Sequence, residues 1–300
     1  MIIKLGTRGS ELALWQANHI KYLLEQKVNS IKVEIIVIKT KGDLIQNKAL
    51  PNIGGKGLFT KEIEEALLEE KVHIAVHSLK DLPSELPDGL KYAGSPVRND
   101  HRDCFISTKW KSIEEIPNNG RIATGSMRRK ALIHEINPKI QCDGLRGNIG
   151  TRLRKLEEQK WDGIIMAAAA LHRLEIADRI TEYLDPISFV PSVGQGAIGL
   201  EVKASQIGID KVIEQIIDRD TVICVTAERA FMHQLEGGCS VPIGAWAKIV
   251  GNQIELIGYF ASSDGTQSLR KSIDGPLNSP KEVGVELANI FKSHGVLDWI

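Results

Sequence analysis

The chain of 300 residues is poor in cysteine, poor in aromatics and without net charge. Four cysteines (Cys104, Cys142, Cys224, Cys239), with no C-x-x-C and no close pairing, exclude a disulfide framework and a cysteine zinc cage; reduced thiols and no metal are expected. Lys plus Arg number 38 and Asp plus Glu also 38, so no global field draws nucleic acid or an anionic membrane, and 5% aromatics offer little for base stacking. The longest uninterrupted apolar run, Ile164 to Leu171, is far short of a membrane span, and Met1-Ile2-Ile3-Lys4 turns polar within ten residues. A cytoplasmic protein is the expectation. G-x-G-x-x-G, G-x-x-x-x-G-K-[ST], G-x-S-x-G and H-E-x-x-H are all missing, which removes sequence support for nucleotide cofactors, serine hydrolysis and zinc proteolysis.

What is present suits an ordinary globular protein of two or three domains, with 42% hydrophobic and 25% charged residues. Up to about residue 215, apolar β-branched runs (Lys32–Lys39, Ile74–Val76, Ile122–Ala123, Ile164–Met166) alternate with helix-period segments, which predicts a parallel α/β architecture. Phe59, Ile63, Ala66 and Leu67 put an apolar stripe on a helix that opens after Gly54-Gly55-Lys56-Gly57. Later the style changes. A helix from about Thr221 to Glu236 precedes runs 243–249, 253–260 and 267–273, separated by turn-forming links that suit an antiparallel meander, and a helix from about Pro280 to Lys292 follows. This tail reads as a small α+β domain.

Eight of the fourteen arginines (Arg98, Arg102, Arg121, Arg128, Arg129, Arg146, Arg152, Arg154) fall within residues 98–154, and such crowding points to anionic partners. In Ile122 to Arg129 a strand runs through a Gly/Ser turn into a helix whose first turn carries two cations. Cations there oppose the helix dipole by about 0.3–1 kcal/mol, a cost that a bound carboxylate or phosphate reverses. The device recurs at Gly6-Thr7-Arg8-Gly9-Ser10 and at Leu145-Arg146-Gly147-Asn148, with Arg152 beyond it. The plainer reading of each is a solvated arginine beside an ordinary N-cap. A small polycarboxylate or phosphate fits the neutral chain better than nucleic acid does.

Val72 to Pro83 places Ser78, Lys80 and Asp81 just beyond a buried strand, where open α/β sheets bind ligands. Asp81 is a candidate acid or base able to hold a substrate ammonium, or else a turn-forming Asp ahead of Pro83. His77 reads as a core or hydrogen-bonded histidine. Cys239, in the Gly-hinged stretch Leu235-Glu236-Gly237-Gly238-Cys239, is either a nucleophile or attachment point or a small buried hydrophobe; Cys104, Cys142 and Cys224 are assigned to packing.

Taken together, these motifs resemble the porphobilinogen deaminase (hydroxymethylbilane synthase) family. Thr40-Lys41-Gly42-Asp43, Gly54 to Phe59, Ala75 to Pro83 and Val193-Gly194-Gln195-Gly196-Ala197 join those already quoted, and their order spans nearly the whole chain. The resemblance implies a transferase that joins four porphobilinogen molecules head to tail, releasing ammonia each time, to give hydroxymethylbilane. It further implies a dipyrromethane cofactor on Cys239 through a thioether, a bond that survives turnover where a thioester would not. Asp81 matches the catalytic aspartate, which protonates the departing amine and stabilises pyrrole cations. Arg8, Ser10, Ser78, Lys80, Thr124, Ser126, Arg128, Arg129, Arg146, Gly147, Asn148, Arg152 and Ala167 match substrate and cofactor contacts. Lys56 is a further substrate or cofactor contact, Asp43 is a lesser candidate near the cofactor, Gln195 matches a position near an interdomain crossover, and Phe59 matches a mobile loop. Each pyrrole carries an acetate and a propionate, so six rings present about twelve carboxylates to these cations. In one departure, Gly125 stands where the family often has a serine.

The implied fold is α/β: two periplasmic-binding-protein-like domains plus a C-terminal α+β domain with a three-stranded antiparallel sheet. Domain 1 takes 1–96 with 191–214, domain 2 takes 97–190 and domain 3 takes 215–300. A monomer with porphobilinogen as its partner, and no nucleic acid or membrane, is expected. The alternative is a non-catalytic two-domain receptor for a small polycarboxylate, which makes no use of Cys239.

Overall fold

A computed structural model describes residues 1–44, 59–206, 208–235 and 241–299. In chain order the elements are β1 (Ile2–Thr7), α1 (Glu11–Lys27), β2 (Lys32–Val37), α2 (Lys41–Leu44), α3 (Lys61–Leu68), β3 (Ile74–Ser78), β4 (Leu90–Gly94), β5 (Asp103–Ile106), β6 (Arg121–Ala123), α4 (Met127–Ile136), β7 (Gln141–Asp143), α5 (Ile149–Glu158), β8 (Gly163–Ala167) and α6 (Ala168–Arg173). They continue with β9 (Glu182–Tyr183), β10 (Ile198–Lys203), α7 (Ile209–Ile213), α8 (Arg219–Gln234), β11 (Ile243–Val250), β12 (Gln253–Ala261), β13 (Ser268–Pro276) and α9 (Pro280–Ser293). Two compact units result, Met1–Asn99 with Ala197–Val222 and Asp100–Gly196 with Ile223–Ile300.

The first unit holds a sheet of order β2-β1-β3-β10-β4. Alternation along its strands sends Ile3, Leu5, Ile74, Val76 and Leu200 into one core with Ile20 and Leu24 of α1, while Ala75 faces the opposite side, where Ile63, Ala66 and Leu67 of α3 cover it. Both faces are therefore buried, as strands this rich in Ile and Val require.

In the second unit a sheet of order β7-β6-β8-β5-β9 packs Phe105, Ile122 and Ile165 against Leu132 and Ile133 of α4. The antiparallel sheet β11-β12-β13 belongs to the same unit, and its strands β11 and β12 are buried on both sides with a period of two. Trp246, Ile257 and Tyr259 join the core around α4, whereas Ala245, Leu256 and Phe260 face Phe231 of α8 and Leu287 and Phe291 of α9.

One expectation is corrected: the α/β sheets are mixed rather than parallel. β10 runs antiparallel to β3 and β4, and β5 runs antiparallel to β8 and β9. Parallel neighbours need a crossover helix, and the segments before β5 and β10 supply none. The antiparallel C-terminal meander is as expected.

Candidate functional site

In the first unit, parallel strands β1 and β3 bring their carboxyl ends to one edge of the sheet. Ser10, just beyond β1, caps α1 with its hydroxyl 3.3 Å from the Ala13 N–H. The pocket formed at this edge is lined by Arg8, Ser10, Gln16, Phe59, His77, Ser78 and Asp81 among others. The guanidinium carbon of Arg8 lies 4.2 Å from the centroid of the Phe59 ring, a cation–π contact that holds the charge at the rim. Gln16 Nε2 donates to Ser78 Oγ at 2.9 Å.

Beyond Ser78 the chain makes a single 3₁₀ turn, Leu79–Asp81. Leu79 and Leu82 are both buried at 1% exposure, and the Leu79 N–H donates to the Ala197 carbonyl at 3.0 Å. Two apolar anchors thus pin a turn that leaves Lys80 half-buried and Asp81 exposed on the pocket wall. His77, at the back of the same pocket, is buried, with Nε2 at 3.0 Å from Glu201 Oε2. It is the hydrogen-bonded histidine that its sequence context suggests.

The second unit repeats the strand–cap–helix device twice. After β6, the Ser126 hydroxyl caps α4 by accepting from the Arg129 N–H at 3.4 Å, and Thr124 Oγ1 accepts from the Ser126 N–H at 3.2 Å. After β7, Asn148 Oδ1 accepts from the Thr151 N–H at 2.8 Å and caps α5. Gly147 has φ 114°, a left-handed conformation, and a Cβ there would come within 2.6 Å of Thr151 Cγ2; only glycine allows Arg146 and Asn148 to leave this turn as they do. At Gly125 a Cβ would lie 2.8 Å from the Leu145 carbonyl oxygen, so the departure from the family serine lets the β6–α4 and β7–α5 loops approach closely.

The arginines of this region are mostly met from within. Arg102 pairs with Asp100, Arg121 with Asp143 and Arg154 with Glu158, while Arg128 and Arg129 both converge on Asp103. Arg129 Nε and Nη2 donate to Asp103 Oδ1 at 3.1 and 2.6 Å, and its Nη1 donates to the Ile165 carbonyl at 2.9 Å. Arg128 Nη1 lies 2.8 Å from Asp103 Oδ2 and donates to the Val190 carbonyl at 2.7 Å. Gln195 Nε2 completes the cluster at 2.9 Å from Asp103 Oδ1, and Ala167 stands opposite Asp103 in the β5–β8 register. Burial opposes ionisation of Asp103, but the two guanidiniums and these hydrogen bonds outweigh it and hold the carboxyl well below its usual range. One carboxylate against two guanidiniums leaves the cluster net positive.

Arg146 differs. Its Nη2 is buried yet has no hydrogen-bond partner among the described residues. Arg152 Nε donates to the Gly147 carbonyl at 2.8 Å beside it. The first turn of α5 therefore offers a cap, a glycine turn and a guanidinium N–H still to be satisfied.

Lys56 and Cys239 lie outside the described residues, and Asp43 falls in the short helix α2. Burial pushes the Cys104 thiol up to about 12 and the Cys142 thiol up to about 11, which keeps both unreactive. Three residues of these surroundings were not singled out from sequence: Asp103, Gln16, and Arg173, whose Nη2 donates to the Gly196 carbonyl at 2.7 Å and whose guanidinium burial lowers to about 10. Asp103 is the last polar residue before the apolar run Cys104-Phe105-Ile106, and that junction is the signal available for it; Gln16 and Arg173 stand among other polar residues and carry none.

Two mixed α/β sheets with capped helix N-termini at their strand ends, a polar pocket at the strand ends of the first and a three-stranded antiparallel sheet in the second unit define an α/β protein whose strand-end loops suit anionic ligands. Comparison with known proteins narrows the class. Residues 3–211 match the sequence model of the porphobilinogen deaminase dipyromethane cofactor binding domain, and residues 222–293 that of the porphobilinogen deaminase C-terminal domain. The porphobilinogen deaminase of Syntrophobacter fumaroxidans is 45% identical over 290 residues, covering 95% of this chain and 94% of that one. Its counterpart in Geobacter sulfurreducens is 43% identical over 293 residues, covering 98% and 92%. Among solved structures, the methionine-binding protein MetQ aligns with a TM-score of 0.45 and 14% identity over 72% of this chain and 89% of that one. The chain belongs to the porphobilinogen deaminase family.

Proposed function

We infer that the chain is a transferase that condenses porphobilinogen into hydroxymethylbilane with release of ammonia. The observation that carries this reading is the family match through both the cofactor-binding and the C-terminal domain. Porphobilinogen brings one ammonium and two carboxylates. Asp81, exposed on the pocket wall, suits the ammonium: it holds the cation, passes a proton at the departing nitrogen and offsets positive charge left on the ring. Arg8, Ser10, Ser78 and Lys80 around it bind and orient substrate carboxylates.

Residues of the second unit fit a dipyrromethane with its acetate and propionate groups. Arg146 Nη2 lacks an acceptor among the described residues, and the capped N-termini of α4 and α5 favour anions. Arg146 and Arg152, with Thr124, Ser126, Gly147 and Asn148, would hold its carboxylates, and Cys239 would carry it by a thioether. Bound there, it supplies the pyrrole α-carbon to which the next ring is joined. Arg128, Arg129 and Gln195 contribute the net positive charge of the Asp103 cluster; Asp43, Lys56, Phe59 and Ala167 complete the proposed contacts. In this reading 1–96 with 191–214 bear the aspartate, 97–190 the arginine clamp and 215–300 the cofactor cysteine.

No helix among the described residues is long and apolar enough to cross a membrane, and we place the enzyme in the cytoplasm. Intact-mass measurement tests the reading directly: the active protein is expected to be heavier than its sequence by two pyrrole units, and porphobilinogen should release ammonia on addition. An unmodified mass in active protein, or no ammonia, overturns it.

A further inference from the structure

Behind the Asp81 pocket, α3, β3 and β10 enclose three ionisable side chains that the proposed chemistry does not use. Glu64 of α3 is 6% exposed, His77 of β3 5% and Glu201 of β10 0%. His77 Nε2 lies 3.0 Å from Glu201 Oε2, whereas Glu64 Oε1 and Glu201 Oε1 have no hydrogen-bond partner among the described residues. His77 lines the pocket together with Thr60, the residue that precedes α3.

Its net charge decides what this cluster does. If both carboxylates were ionised, one imidazole, even a protonated one, would leave a net negative charge buried between α3 and the sheet, next to the apolar cluster of Ile63, Ala66, Leu67 and Ala75. Such an uncompensated buried charge is very costly, and a retained proton removes the cost while creating an O–H donor. Burial pushes the Glu64 carboxyl above its usual range; the nearby Thr60 hydroxyl and His77 oppose this, and Glu201 and the exposed Glu65 add to it. From the other elements packed here, Glu201 faces Tyr92 across the β10–β4 register, whose hydroxyl is 2.7 Å from Ser95 Oγ, and Arg8 and Asp81 stand at the pocket.

We propose that Glu64 is kept as a neutral carboxylic acid behind the His77–Glu201 hydrogen bond, and that these three buried side chains together position the pocket end of β3, from which Ser78 and Asp81 follow. Its catalytic consequence rests on the deaminase reading above. Glu64 and Glu201 act through His77 and are positioning residues.

The test uses the full-length holoenzyme and its Glu64→Gln and Glu201→Gln variants. Infrared spectra at pH 7 should show the carbonyl stretch of a neutral carboxylic acid in the wild type and lose it in Glu64→Gln. The alkaline limb of kcat/KM should move up by about one pH unit in Glu64→Gln, whose amide cannot ionise, and kcat/KM should fall about tenfold in Glu201→Gln, mainly through KM. Absence of the band in the wild type, or an alkaline limb unmoved by Glu64→Gln, overturns the proposal. Should Glu201→Gln fail to fold, the near-isosteric Glu64→Gln decides alone. A wild type that releases no ammonia counts against the deaminase reading, and the infrared band still decides the charge state of Glu64.

Discussion

Asp103 Oδ1 and Arg129 Nη2 meet at 2.6 Å, with the carboxylate wholly buried and Arg128 closing on its other oxygen. Asp103→Asn keeps the shape but leaves two guanidiniums in the interior without a countercharge. Breaking a buried pair from one side costs about 3–5 kcal/mol, and urea unfolding should show a loss of that order. A loss under about 1 kcal/mol would mean that the arginines find other partners. The sign with pH follows from the direction of the shift: because the folded carboxyl lies below its ordinary 3.8, its stabilisation is fully present above that value and is lost as the pH falls toward the folded one.

Much of the fold is legible in sequence because it is local. The stripe through Ile63, Ala66 and Leu67 states which face of α3 is buried, and the turn-forming links between 243–249, 253–260 and 267–273 state the meander. β9, two residues long, gives no such pattern, and nothing in Ile198–Lys203 announces that it inserts antiparallel beside β3. That placement follows from chain connectivity. The site divides in the same way. Gly-Thr-Arg-Gly-Ser and Leu-Arg-Gly-Asn display their turns and caps within a few residues, whereas Asp103 has its partners 26 and 92 positions away in Arg129 and Gln195. Local crowding of arginine therefore overstates the charge left for a ligand.

Arg146 and Arg129 separate binding from stability. Arg146 Nη2 gives up no internal hydrogen bond among the described residues, so Arg146→Lys should leave unfolding within about 0.5 kcal/mol of wild type. Lysine keeps the charge but not the planar fork, so elongation should stall and intact mass should show shorter covalent chains. Arg129→Lys breaks up three internal contacts and should be destabilised by more than about 1.5 kcal/mol, the lower end of the net worth of one charged hydrogen bond. Full elongation by Arg146→Lys would remove Arg146 from the carboxylate contacts.

Asp81→Asn addresses the chemistry with little structural disturbance. The carboxyl is exposed, and its turn is pinned by Leu79 and Leu82, so thermal stability should stay near that of wild type. An amide accepts no proton in this range and neutralises no ammonium. Ammonia release should fall by roughly 10²–10⁴-fold, the usual scale of a positioned acid or base. Near-normal deamination by a folded variant contradicts the role assigned to Asp81.

Gly284 sets helix propensity against packing. It lies inside α9, where alanine is favoured by about 1 kcal/mol in an exposed helix. Here a methyl would overlap the Ala227 carbonyl oxygen and come within 2.7 Å of Ala230 Cβ and 2.8 Å of the Phe231 nitrogen, all on α8. Backbone cannot yield as a flexible side chain does, and overpacking of this kind costs about 1–3 kcal/mol, so the clash outweighs the propensity gain. Gly284→Ala should lower the urea midpoint, whereas Gly208→Ala, at the N-cap of α7 where a Cβ meets nothing within 4 Å but φ is 92°, should cost only the strain of a left-handed alanine, about 1–2 kcal/mol. A Gly284→Ala protein more stable than wild type would show that α8 and α9 can separate without penalty.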